Sequence, residues 1–596
     1  MNKINNYNQD VSFSTLSGLI RRSIHLYGER PFLGVKRNGE YEWITYSEFD
    51  VRMRKMRTLL KNNGLCKGDR VAVVANNSIE FALTAYAAYG LGGIIVPMYE
   101  VQKVQDWEYI FGDSRPRIAI VSNDSIREKI EGIQSPGLEH IFVIKPSSGE
   151  SLGNMIDACE AMSEDVDDVT EDDLCDIIYT SGTTGRPHGV ELTHRNIVRN
   201  VIMIDHVFNI SCQDRLLCFL PWAHAFGKTV DFHIFPSVGA ALGLVESNRT
   251  IAQNLLEVNP TVLVAVPKIF NKIYDTVHFK VSNKPIQQFL FDQAESVSSR
   301  AHQGGLSLFG KLQHRVLDKL VASKVRAAFG NSLRFCISGG ASLSKEVATF
   351  FDNFGVQIYE GCGMTEHAPI IAVNIENNVK IGSVGLPLED VHIDIEMDNE
   401  MLDKSNDKCG EIVVSSDCVM KCYHNDPTGT ASAIDDKGRL HTGDMGYIDD
   451  DGFLYITGRV KEQYKLENGK YVVPTALEEK INNSPSVELS VVFGSGRPFN
   501  IVLIRPSDEY IEQFKKENHL ENATQSEIEN HPKLRESIAE MLKTACAEFR
   551  GYERPQKFAI TLEPFTIQGG LLTPALKIKR REVEKRFGDL IDSLYH

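Results

Sequence analysis

Residues 176–196 read DIIYTSGTTGRPHGVELTHRN, and the rest of the chain is organised around this segment. Its first four residues form a short β-favouring run that stops at the hydroxyl- and glycine-rich residues 180–185, so we predict a strand and then a loop. Glycines let backbone N–H groups approach an anion closely, and serine and threonine hydroxyls add donors. The loop therefore suits a phosphate, although a polar surface turn explains six small residues equally well.

The loop differs from a Walker A phosphate loop. Pro187 stands five residues beyond Gly182, where that motif needs glycine, and no Gly-Lys-Ser/Thr sequence follows. Residues 190–192 begin a second extended run, and a helix is predicted to open at residues 193–196.

Composition is that of an ordinary globular protein that binds no nucleic acid. With 596 residues the chain is long enough for at least two domains. Its 64 basic and 80 acidic residues give a net charge of −16, which argues against a general nucleic-acid or anionic-membrane binder while leaving local basic patches open.

Cysteine usage and the N-terminal residues favour a cytoplasmic location. The eleven cysteines include no Cys-x-x-Cys pair, so we expect reduced thiols in a reducing compartment. Residues 1–10 are polar and asparagine-rich, unlike a signal or transit peptide. The uncharged residues 81–98 are interrupted by three glycines and Pro97, which predicts a buried helix and strand rather than a membrane span.

Alternation of short apolar runs with helical segments predicts an α/β fold. Four such runs, at residues 71–74, 94–96, 118–121 and 141–144, indicate βαβ units on mainly parallel sheets flanked by helices. Upstream, residues 15–65 contain two amphipathic helix candidates around a hairpin-like stretch, and the acidic residues 160–173 are predicted to form an exposed linker.

Several later segments carry residues suited to nucleotide chemistry. A carboxylate that follows a threonine at a strand exit can hold Mg²⁺ while the hydroxyl donates to a phosphate, and an aspartate at a strand end can accept from both ribose hydroxyls. In isolation a single histidine, a Gly-Gly turn or one aspartate is more often structural. The segments are LPWAHAF (220–226), FCISGGASL (335–343), YEGCGMTE (359–366), LHTGD (440–444), GRVK (458–461) and LLTPALKIKR (571–580).

Together with the opening loop, these segments resemble the AMP-forming adenylate synthetases, the superfamily of acyl-CoA synthetases, luciferases and peptide-synthetase adenylation domains. The resemblance covers about residues 30–590 in the expected order. Residues 285–330, which have apolar positions at helical spacing, resemble in length and position the helical insertion of the long-chain fatty acyl-CoA synthetase branch.

The resemblance assigns roles to individual residues. It implies catalytic roles for Lys577, Thr365, Glu366 and His224, Mg²⁺ ligation by Glu366 and Thr184, and a hinge at Lys461. It implies nucleotide contacts for Thr180, Ser181, Gly182, Thr183, Thr184, Gly185, Gly339, Gly340, Ala341, Tyr359, Gly361, Cys362, Gly363, Asp444, Arg459 and Lys465. Among these, Lys577 corresponds to the adenylation lysine, and Asp444 and Arg459 to ribose contacts.

The chain departs from the family pattern at four positions. His188 replaces a lysine near the β- and γ-phosphates, and a histidine carries a full positive charge only when protonated. Cys362 replaces an aromatic ring that packs on adenine, a contact worth roughly 1 kcal/mol. Gly227 replaces a glutamate, and Leu576 replaces the glycine before the adenylation lysine.

The implied activity is a two-step ligation. A fatty acid reacts with ATP to give acyl-AMP and pyrophosphate, and coenzyme A then displaces AMP. The implied architecture is a large domain, residues 1–460, and a small mobile α+β domain, residues 461–596, that alternates between the two steps. An enzyme that passes its acyl group to a carrier protein or an amine would share these motifs, and a weakly active nucleotide-binding relative is the third alternative. Acyl chain length, peripheral membrane contact and oligomeric state stay open.

Overall fold

The architecture is taken from a computed structural model that describes residues 13–162, 168–181, 187–282, 284–302, 307–397 and 408–596. Residues 182–186 of the opening loop, and residues 163–167 of the acidic stretch, lie outside this described part. Sheets and helices alternate through the first two-thirds of the chain, which confirms the predicted α/β class.

The strand that leads into the opening loop belongs to a seven-stranded sheet. Its order across the sheet is Cys422–Tyr423, Pro187–Thr193, Leu174–Ser181, Ile94–Met98, Arg70–Val74, Ile118–Asn123 and His140–Lys145. The last five of these run parallel, as the alternating pattern predicted, whereas the first two are antiparallel to their neighbours. The opening segment is therefore a hairpin, with Thr180 opposite His188 and the loop between its two strands.

A nine-stranded sheet packs against the first through one shared core. Its order is Leu386–Pro387, Ile370–Val373, Ile358–Gly363, Phe335–Ser338, Val262–Ala265, Arg215–Cys218, Ala241–Leu244, Pro31–Arg37 and Glu40–Thr45. The central strands are parallel, and the last two form the predicted N-terminal hairpin. Parallel strands buried on both faces explain why their sequences are continuously apolar.

Helices cover both sheets. They span Leu16–Tyr27, Tyr46–Asn62, Ile79–Gly90, Val104–Ser114, Asp124–Glu131, Leu152–Ala158, His194–Val207, Gly227–Ile234 (π), Phe235–Ser237, Ile251–Val258, Pro267–Ser282, Pro285–His302, Leu308–Leu317, Asp318–Ala322 (π), Ser323–Ala327, Lys345–Asn353, Thr365–His367 (3₁₀), Pro427–Ala433 and Val460–Glu462 (3₁₀). Thr193 caps the helix after the opening segment, because its hydroxyl accepts from the N–H of Asn196 while the Asn196 side chain bonds back.

The predicted buried helix and strand at residues 81–98 are present as Ile79–Gly90 and Ile94–Met98. Every residue of this helix except Glu80 is buried, so its uncharged sequence reflects a position inside the core. Among the described residues, no helix combines the length and the apolar character needed to cross a bilayer.

An antiparallel four-stranded sheet, His392–Glu396, Gly410–Ser415, Leu440–Ile448 and Leu454–Arg459, connects the large core to the C-terminal part. Beyond it lie two smaller sheets and five helices, whose hydrophobic clusters contain only residues from 464 onward. The strands are Tyr464–Lys465, Tyr471–Val472, Val487–Phe493, Ile501–Pro506 and Lys557–Ile560, and the helices are Pro474–Asn482, Asp508–Asn518, Gln525–Glu529, Pro532–Ala545 and Arg580–Ser593.

Candidate functional site

A cleft opens where two parallel strands of the nine-stranded sheet end, Phe335–Ser338 and Ile358–Gly363. Ligand sites in α/β folds form at the carboxyl ends of parallel strands, because the loops that follow the strands meet there. Seven residues predicted from the sequence line this one cleft: His224, Gly339, Gly340, Gly361, Cys362, Gly363 and Thr365.

Two of these glycines are required by the backbone. Gly340 has φ +82°, a left-handed conformation that side chains rarely adopt. At Gly363 a Cβ atom would lie 2.1 Å from the carbonyl oxygen of Pro369, which is closer than any contact allows. Because these two positions carry no side chain, a ligand in the cleft can approach the backbone at its floor.

His224 enters the cleft as a neutral imidazole. Its Nδ1 accepts a hydrogen bond from the N–H of Phe226 at 3.2 Å, which leaves the ring proton on Nε2. Burial, and to a smaller extent the positive charge of Lys577, lower the pKa of His224 to about 4. The ring can thus donate from Nε2 to an oxygen in the cleft at neutral pH.

Thr365 and Glu366 lie in a buried 3₁₀ turn, Thr365–His367, directly after the cleft strand. The turn is held at two points, since Thr229 donates its hydroxyl to the carbonyl of Ala368 at 3.0 Å and Met420 donates its N–H to the carbonyl of Glu366 at 2.8 Å. Thr365 therefore lines the cleft from a fixed backbone, and Glu366 follows it in the same turn.

The Glu366 carboxylate fits the requirements of a magnesium ligand. Tyr423 donates its hydroxyl to Oε1 at 2.8 Å, and Oε2 has no hydrogen-bond partner within the described ranges. The same ranges contain no cluster of three or more His, Cys, Asp or Glu side chains that could hold a metal. One carboxylate suits Mg²⁺, which commonly takes its remaining ligands from substrate phosphates and water. The second predicted ligand, Thr184, lies outside the described residues.

Asp444 and Arg459 form an ion pair across two neighbouring strands. They are register partners in the antiparallel sheet, and Nε of Arg459 lies 3.1 Å from Oδ1 of Asp444. Burial raises the pKa of Asp444, and the charges of Arg459 and Lys577 oppose that rise. Lys577, which belongs to the C-terminal part of the molecule, is therefore a second cation that acts on the carboxylate predicted to bind ribose.

Lys577 reaches this region from a turn in the C-terminal part. The pKa of Lys577 is lowered overall. Desolvation of its ammonium group and the charge of Arg459 lower the pKa, and the charges of Asp444 and Glu366 oppose this effect only in part. The ammonium group is desolvated although the residue as a whole is exposed. The turn is closed by Thr573, whose hydroxyl accepts from the Lys577 N–H at 3.0 Å. Lys577 is thus electrostatically coupled to His224, Asp444 and Glu366 at once.

Leu576 explains why this turn favours glycine. Its φ is +60°, in the left-handed region, where a non-glycine residue costs roughly 1 kcal/mol or more. The departure from the family pattern therefore changes the strain of the turn but leaves Lys577 in it.

His188 contacts two residues of the described part of the chain, Asp426 and Tyr423. Its Nδ1 lies 3.1 Å from Oδ2 of Asp426, and its ring centroid lies 4.9 Å from that of Tyr423. Because Tyr423 also bonds Glu366, the residue that replaces the family lysine is linked to the candidate metal ligand through one side chain.

The remaining predicted site residues are distributed around the cleft. Tyr359 is buried between Phe208 and Phe335, with ring centroids 5.7 and 5.4 Å away, so its ring packs in the core and not in the cleft lining. Ala341 is exposed after the Gly-Gly turn, and Lys465 lies over the ring of Tyr471 at 4.7 Å. Lys461 is exposed in the 3₁₀ turn Val460–Glu462.

The opening loop itself is only partly described. Thr180 and Ser181 end the first strand of the hairpin, whereas Gly182, Thr183, Thr184 and Gly185 lie outside the described residues. Beneath this strand, Asp176 is fully buried and its Oδ1 lies 3.2 Å from Nζ of the equally buried Lys228. Tyr89 donates its hydroxyl to the same carboxylate at 3.0 Å.

Sequence reasoning missed Tyr423, Asp426 and the Asp176–Lys228 pair. Tyr423 is 57 residues from Glu366 in sequence, and only the pairing of Cys422–Tyr423 with Pro187–Thr193 brings it there. For Asp176 a signal existed, since a carboxylate inside an otherwise apolar strand requires a buried partner.

The chain is similar to a known enzyme family along most of its length. A family model described as "AMP-binding enzyme" matches residues 20–424, and one described as "AMP-binding enzyme C-terminal domain" matches residues 461–596. A long-chain-fatty-acid–CoA ligase of Mycobacterium tuberculosis is 30% identical over 574 residues, covering 94% of this chain and 93% of that protein. Long-chain-fatty-acid–CoA ligase 5 of Rattus norvegicus is 29% identical, covering 98% and 88%.

Solved structures share the fold at lower sequence identity. An anthranilate CoA ligase in complex with anthranoyl-AMP superposes with a TM-score of 0.73 at 20% identity, covering 97% of both chains. The A domain of a carboxylic acid reductase from Segniliparus rugosus, in complex with AMP and a carboxylic acid, gives 0.76 at 20% identity, covering 98% of this chain and 94% of that one.

Proposed function

Because the chain belongs to the family of AMP-binding enzymes, we propose that it is an acid–thiol ligase that activates a long-chain fatty acid with ATP and transfers the acyl group to coenzyme A. The products are acyl-CoA, AMP and pyrophosphate. The observation that carries this proposal is the position of Lys577, which comes from a part of the chain with its own core and yet lies close enough for its charge to interact with His224 of the cleft and with Asp444 and Glu366.

In the first step the fatty carboxylate attacks the α-phosphorus of ATP and pyrophosphate leaves. Two anions must approach each other, so the main barrier is electrostatic. One unit charge at about 4 Å and an effective dielectric near 20 contributes roughly 4 kcal/mol, or about a thousandfold in rate. Lys577 supplies such a charge, and Thr365 and the Nε2–H of neutral His224 supply donors for the phosphate and carboxylate oxygens.

The nucleotide is proposed to lie along the remaining predicted residues. Residues 339–341 and 361–363 would hold the adenosine, Asp444 and Arg459 the ribose, and residues 180–185 the phosphates. Glu366 and Thr184 would hold Mg²⁺, which when bound neutralises charge on the phosphate oxygens. For Lys465 the proposed contact with the nucleotide rests only on the resemblance to the family.

In the second step the coenzyme A thiol attacks the acyl carbon, a C–S bond forms and AMP leaves. We place the boundary between the two domains at Lys461, because one hydrophobic cluster ends at Ile456, before the turn that contains it, and a separate cluster begins at Tyr464, after that turn. Rotation about this turn would withdraw Lys577 from the cleft after adenylation and open a path for the thiol.

All eleven cysteines are free thiols, which supports the cytoplasmic location proposed from the sequence.

Pyrophosphate release with oleate, acetate and an aromatic acid, each with and without coenzyme A, tests the proposal. We expect pyrophosphate release with oleate, and formation of acyl-CoA only when coenzyme A is present. Lys577→Ala should abolish both the pyrophosphate release and the formation of acyl-CoA from oleate. Mass spectrometry of the products separates acyl-CoA from an acyl group delivered to a carrier protein or amine. Release with none of the three acids would exclude the ligase activity.

A further inference from the structure

Asp176 and Lys228 form an ion pair inside the large core, and both side chains are fully buried. Nζ of Lys228 lies 3.2 Å from Oδ1 of Asp176. The ammonium group also lies over the rings of Phe81, Tyr89 and Phe232, whose centroids are 5.1, 5.6 and 5.4 Å away. Tyr89 donates its hydroxyl to the same carboxylate, at 3.0 Å from Oδ1 and 3.2 Å from Oδ2. The surrounding side chains therefore hold the pair in one geometry.

Stability alone does not explain this ion pair. Desolvation raises the pKa of Asp176 and lowers the pKa of Lys228, so burial disfavours the charged form of both groups. Replacing a buried ion pair by apolar side chains of similar volume is often neutral or stabilising, whereas removing one partner leaves an uncompensated charge in the core. What the pair adds to packing is a fixed distance and direction between the two elements that carry it.

Both of these elements lead into the candidate site. Asp176 belongs to the strand Leu174–Ser181, which leads into the opening loop. Lys228 follows His224 by one helical turn, and its N–H donates to the His224 carbonyl at 2.8 Å. It belongs to the π-helix Gly227–Ile234, and π-helical turns are frequent at functional sites. The ion pair therefore connects the strand of the opening loop to the turn that carries His224.

Thr229, the next residue, connects the same helix to a third element of the site. Its hydroxyl donates to the carbonyl of Ala368 at 3.0 Å, and both residues are buried. Ala368 closes the turn that contains Thr365 and Glu366, because its N–H donates to the Thr365 carbonyl at 3.2 Å. Two adjacent residues of one helix are thus bonded to two different elements of the site.

We propose that Lys228 and Thr229 are positioning residues, which hold His224, the strand of the opening loop and the Thr365–Glu366 turn at fixed relative positions for adenylation. This inference rests on the proposed ligase function. Adenylation uses all three elements, since the carboxylate, the phosphates and Mg²⁺ must be held together. The reaction of acyl-AMP with coenzyme A involves no pyrophosphate and depends less on the opening loop. Loss of these contacts should therefore slow the first half-reaction more than the second.

An apolar triple variant, Asp176→Leu with Lys228→Met and Tyr89→Phe, separates positioning from stability. It removes both charges and the hydroxyl that bonds to them, so none of the three groups stays buried without its partner. Its unfolding temperature should stay close to that of wild type, whereas Lys228→Met alone should unfold at a lower temperature. Pyrophosphate release with oleate should fall about tenfold or more, because small displacements of reacting groups are costly in rate. The reaction of supplied acyl-AMP with coenzyme A should change little.

Thr229→Val and Thr229→Ser test the second contact. Valine removes the hydroxyl donor at nearly the same volume, and serine keeps it. Thr229→Val should lower pyrophosphate release about fivefold, the equivalent of one neutral hydrogen bond, and Thr229→Ser should restore most of it. Thr84→Val is the matched control, because Thr84 is equally buried and donates its hydroxyl within its own helix, to the carbonyl of Glu80 at 2.7 Å.

The control for the ion pair is Asp214→Asn with Arg334→Gln. In that pair Nη1 of Arg334 lies 2.7 Å from Oδ1 of Asp214, and the two residues precede the strands Arg215–Cys218 and Phe335–Ser338. The pair therefore lies at the amino ends of these strands, opposite the cleft, and the control should keep wild-type pyrophosphate release.

The proposal is overturned if the apolar triple variant folds and keeps wild-type pyrophosphate release, or if it loses both half-reactions equally. If this variant does not fold, Thr229→Val decides the question. Wild-type release by Thr229→Val, or an equal loss in Thr84→Val, then overturns the proposal. A wild-type protein that releases pyrophosphate with no acid would instead overturn the ligase function together with the inference that rests on it.

Discussion

The hydroxyl of Tyr423 donates to Oε1 of Glu366 across 2.8 Å. On its other side, the Tyr423 ring lies against His188, which itself contacts Asp426. The candidate metal ligand and the residue that replaces the family lysine therefore share one supporting side chain. A change at Tyr423 should affect Mg²⁺ binding and phosphate binding together.

Tyr423→Phe should weaken adenylation at low Mg²⁺. The substitution keeps the ring beside His188 and removes the donor to Glu366, and hydrogen bonds to charged groups contribute about 1.5–3 kcal/mol. We expect the Mg²⁺ concentration for half-maximal pyrophosphate release to rise by about tenfold or more. The control is Tyr447→Phe, whose ring stacks on Tyr455 in the four-stranded sheet. Equal Mg²⁺ dependence in both variants would contradict the supporting role.

His188→Lys should flatten the pH dependence of adenylation. A lysine keeps its positive charge at neutral pH, whereas an imidazole is a cation only when it is protonated. If His188 binds phosphate as a cation, wild-type pyrophosphate release measured from pH 6 to 8 should therefore depend on pH more steeply than release by His188→Lys. His206→Lys is the control, since His206 is exposed and also contacts a carboxylate, Glu389, at 3.0 Å. Matching profiles for wild type and His188→Lys would show that the missing lysine hardly matters.

Secondary structure could be predicted where the pattern of apolar residues in a segment is compatible with only one kind of element. The apolar runs 71–74 and 94–96 could be assigned to parallel strands because parallel strands are buried on both faces. The helix after residue 307 was predicted as well, but its two apolar faces could not be separated. Leu317 packs in the core and Leu320 faces solvent, and helical spacing alone does not distinguish them.

The cleft could be predicted to the extent that its residues lie next to each other in sequence. A functional motif can be recognised when its residues are adjacent in sequence, as they are in the pairs Gly339–Gly340 and Thr365–Glu366. The contact of Tyr423 with Glu366 depends on the pairing of two strands that are distant in sequence, Cys422–Tyr423 and Pro187–Thr193, so no local sequence pattern predicts it. The pairing of Asp176 with Lys228 is of the same kind.

Lys577→Ala should separate the two half-reactions. Removal of its charge should slow acyl-AMP formation about a thousandfold and leave the reaction of supplied acyl-AMP with coenzyme A close to wild type. Because desolvation lowers the pKa of Lys577, wild-type adenylation should also fall as pH rises through that lowered pKa, below the ordinary lysine value. Lys577→Arg should keep its charge to higher pH, and Lys579→Ala is the neighbouring control. An equal loss of both half-reactions would contradict a role limited to adenylation.

Buried His194 should make the protein less stable in acid. Its pKa is lowered to about 4, chiefly by desolvation, from an ordinary value of 6.5. A histidine with a depressed pKa stabilises the fold fully above its unfolded pKa, and this contribution is lost as pH falls from about 6.5 toward 4. Between pH 7.5 and 5 the free energy of unfolding should fall by about 2 kcal/mol through this group.

Urea unfolding at several pH values measures this contribution. His194→Asn should reduce the loss of stability on acidification, because asparagine does not titrate and can still accept the N–H of Leu16, which His194 accepts at 3.2 Å. His519→Asn is the control, since His519 is exposed and has φ +57°, which asparagine tolerates. The assignment fails if His194→Asn and His519→Asn show the same dependence on pH.

Lys461→Pro should stop the second half-reaction and spare the first. Lys461 lies in the short turn Val460–Glu462 between Arg459, which pairs with Asp444, and the strand Tyr464–Lys465, where the separate C-terminal core begins. Proline fixes φ near −65° and restricts the residue before it, so a rotation about this turn would be blocked.

In the described arrangement the charge of Lys577 already interacts with Asp444 and Glu366, so we expect adenylation to need no rotation from it. Acyl-AMP should therefore accumulate in the Lys461→Pro variant while acyl-CoA formation from supplied acyl-AMP falls by about a hundredfold or more. Lys461→Ala, which removes the same ammonium group without fixing the backbone, should keep both rates. If the proline and alanine variants lose thioester formation equally, the lysine side chain and not the hinge is what the second step requires.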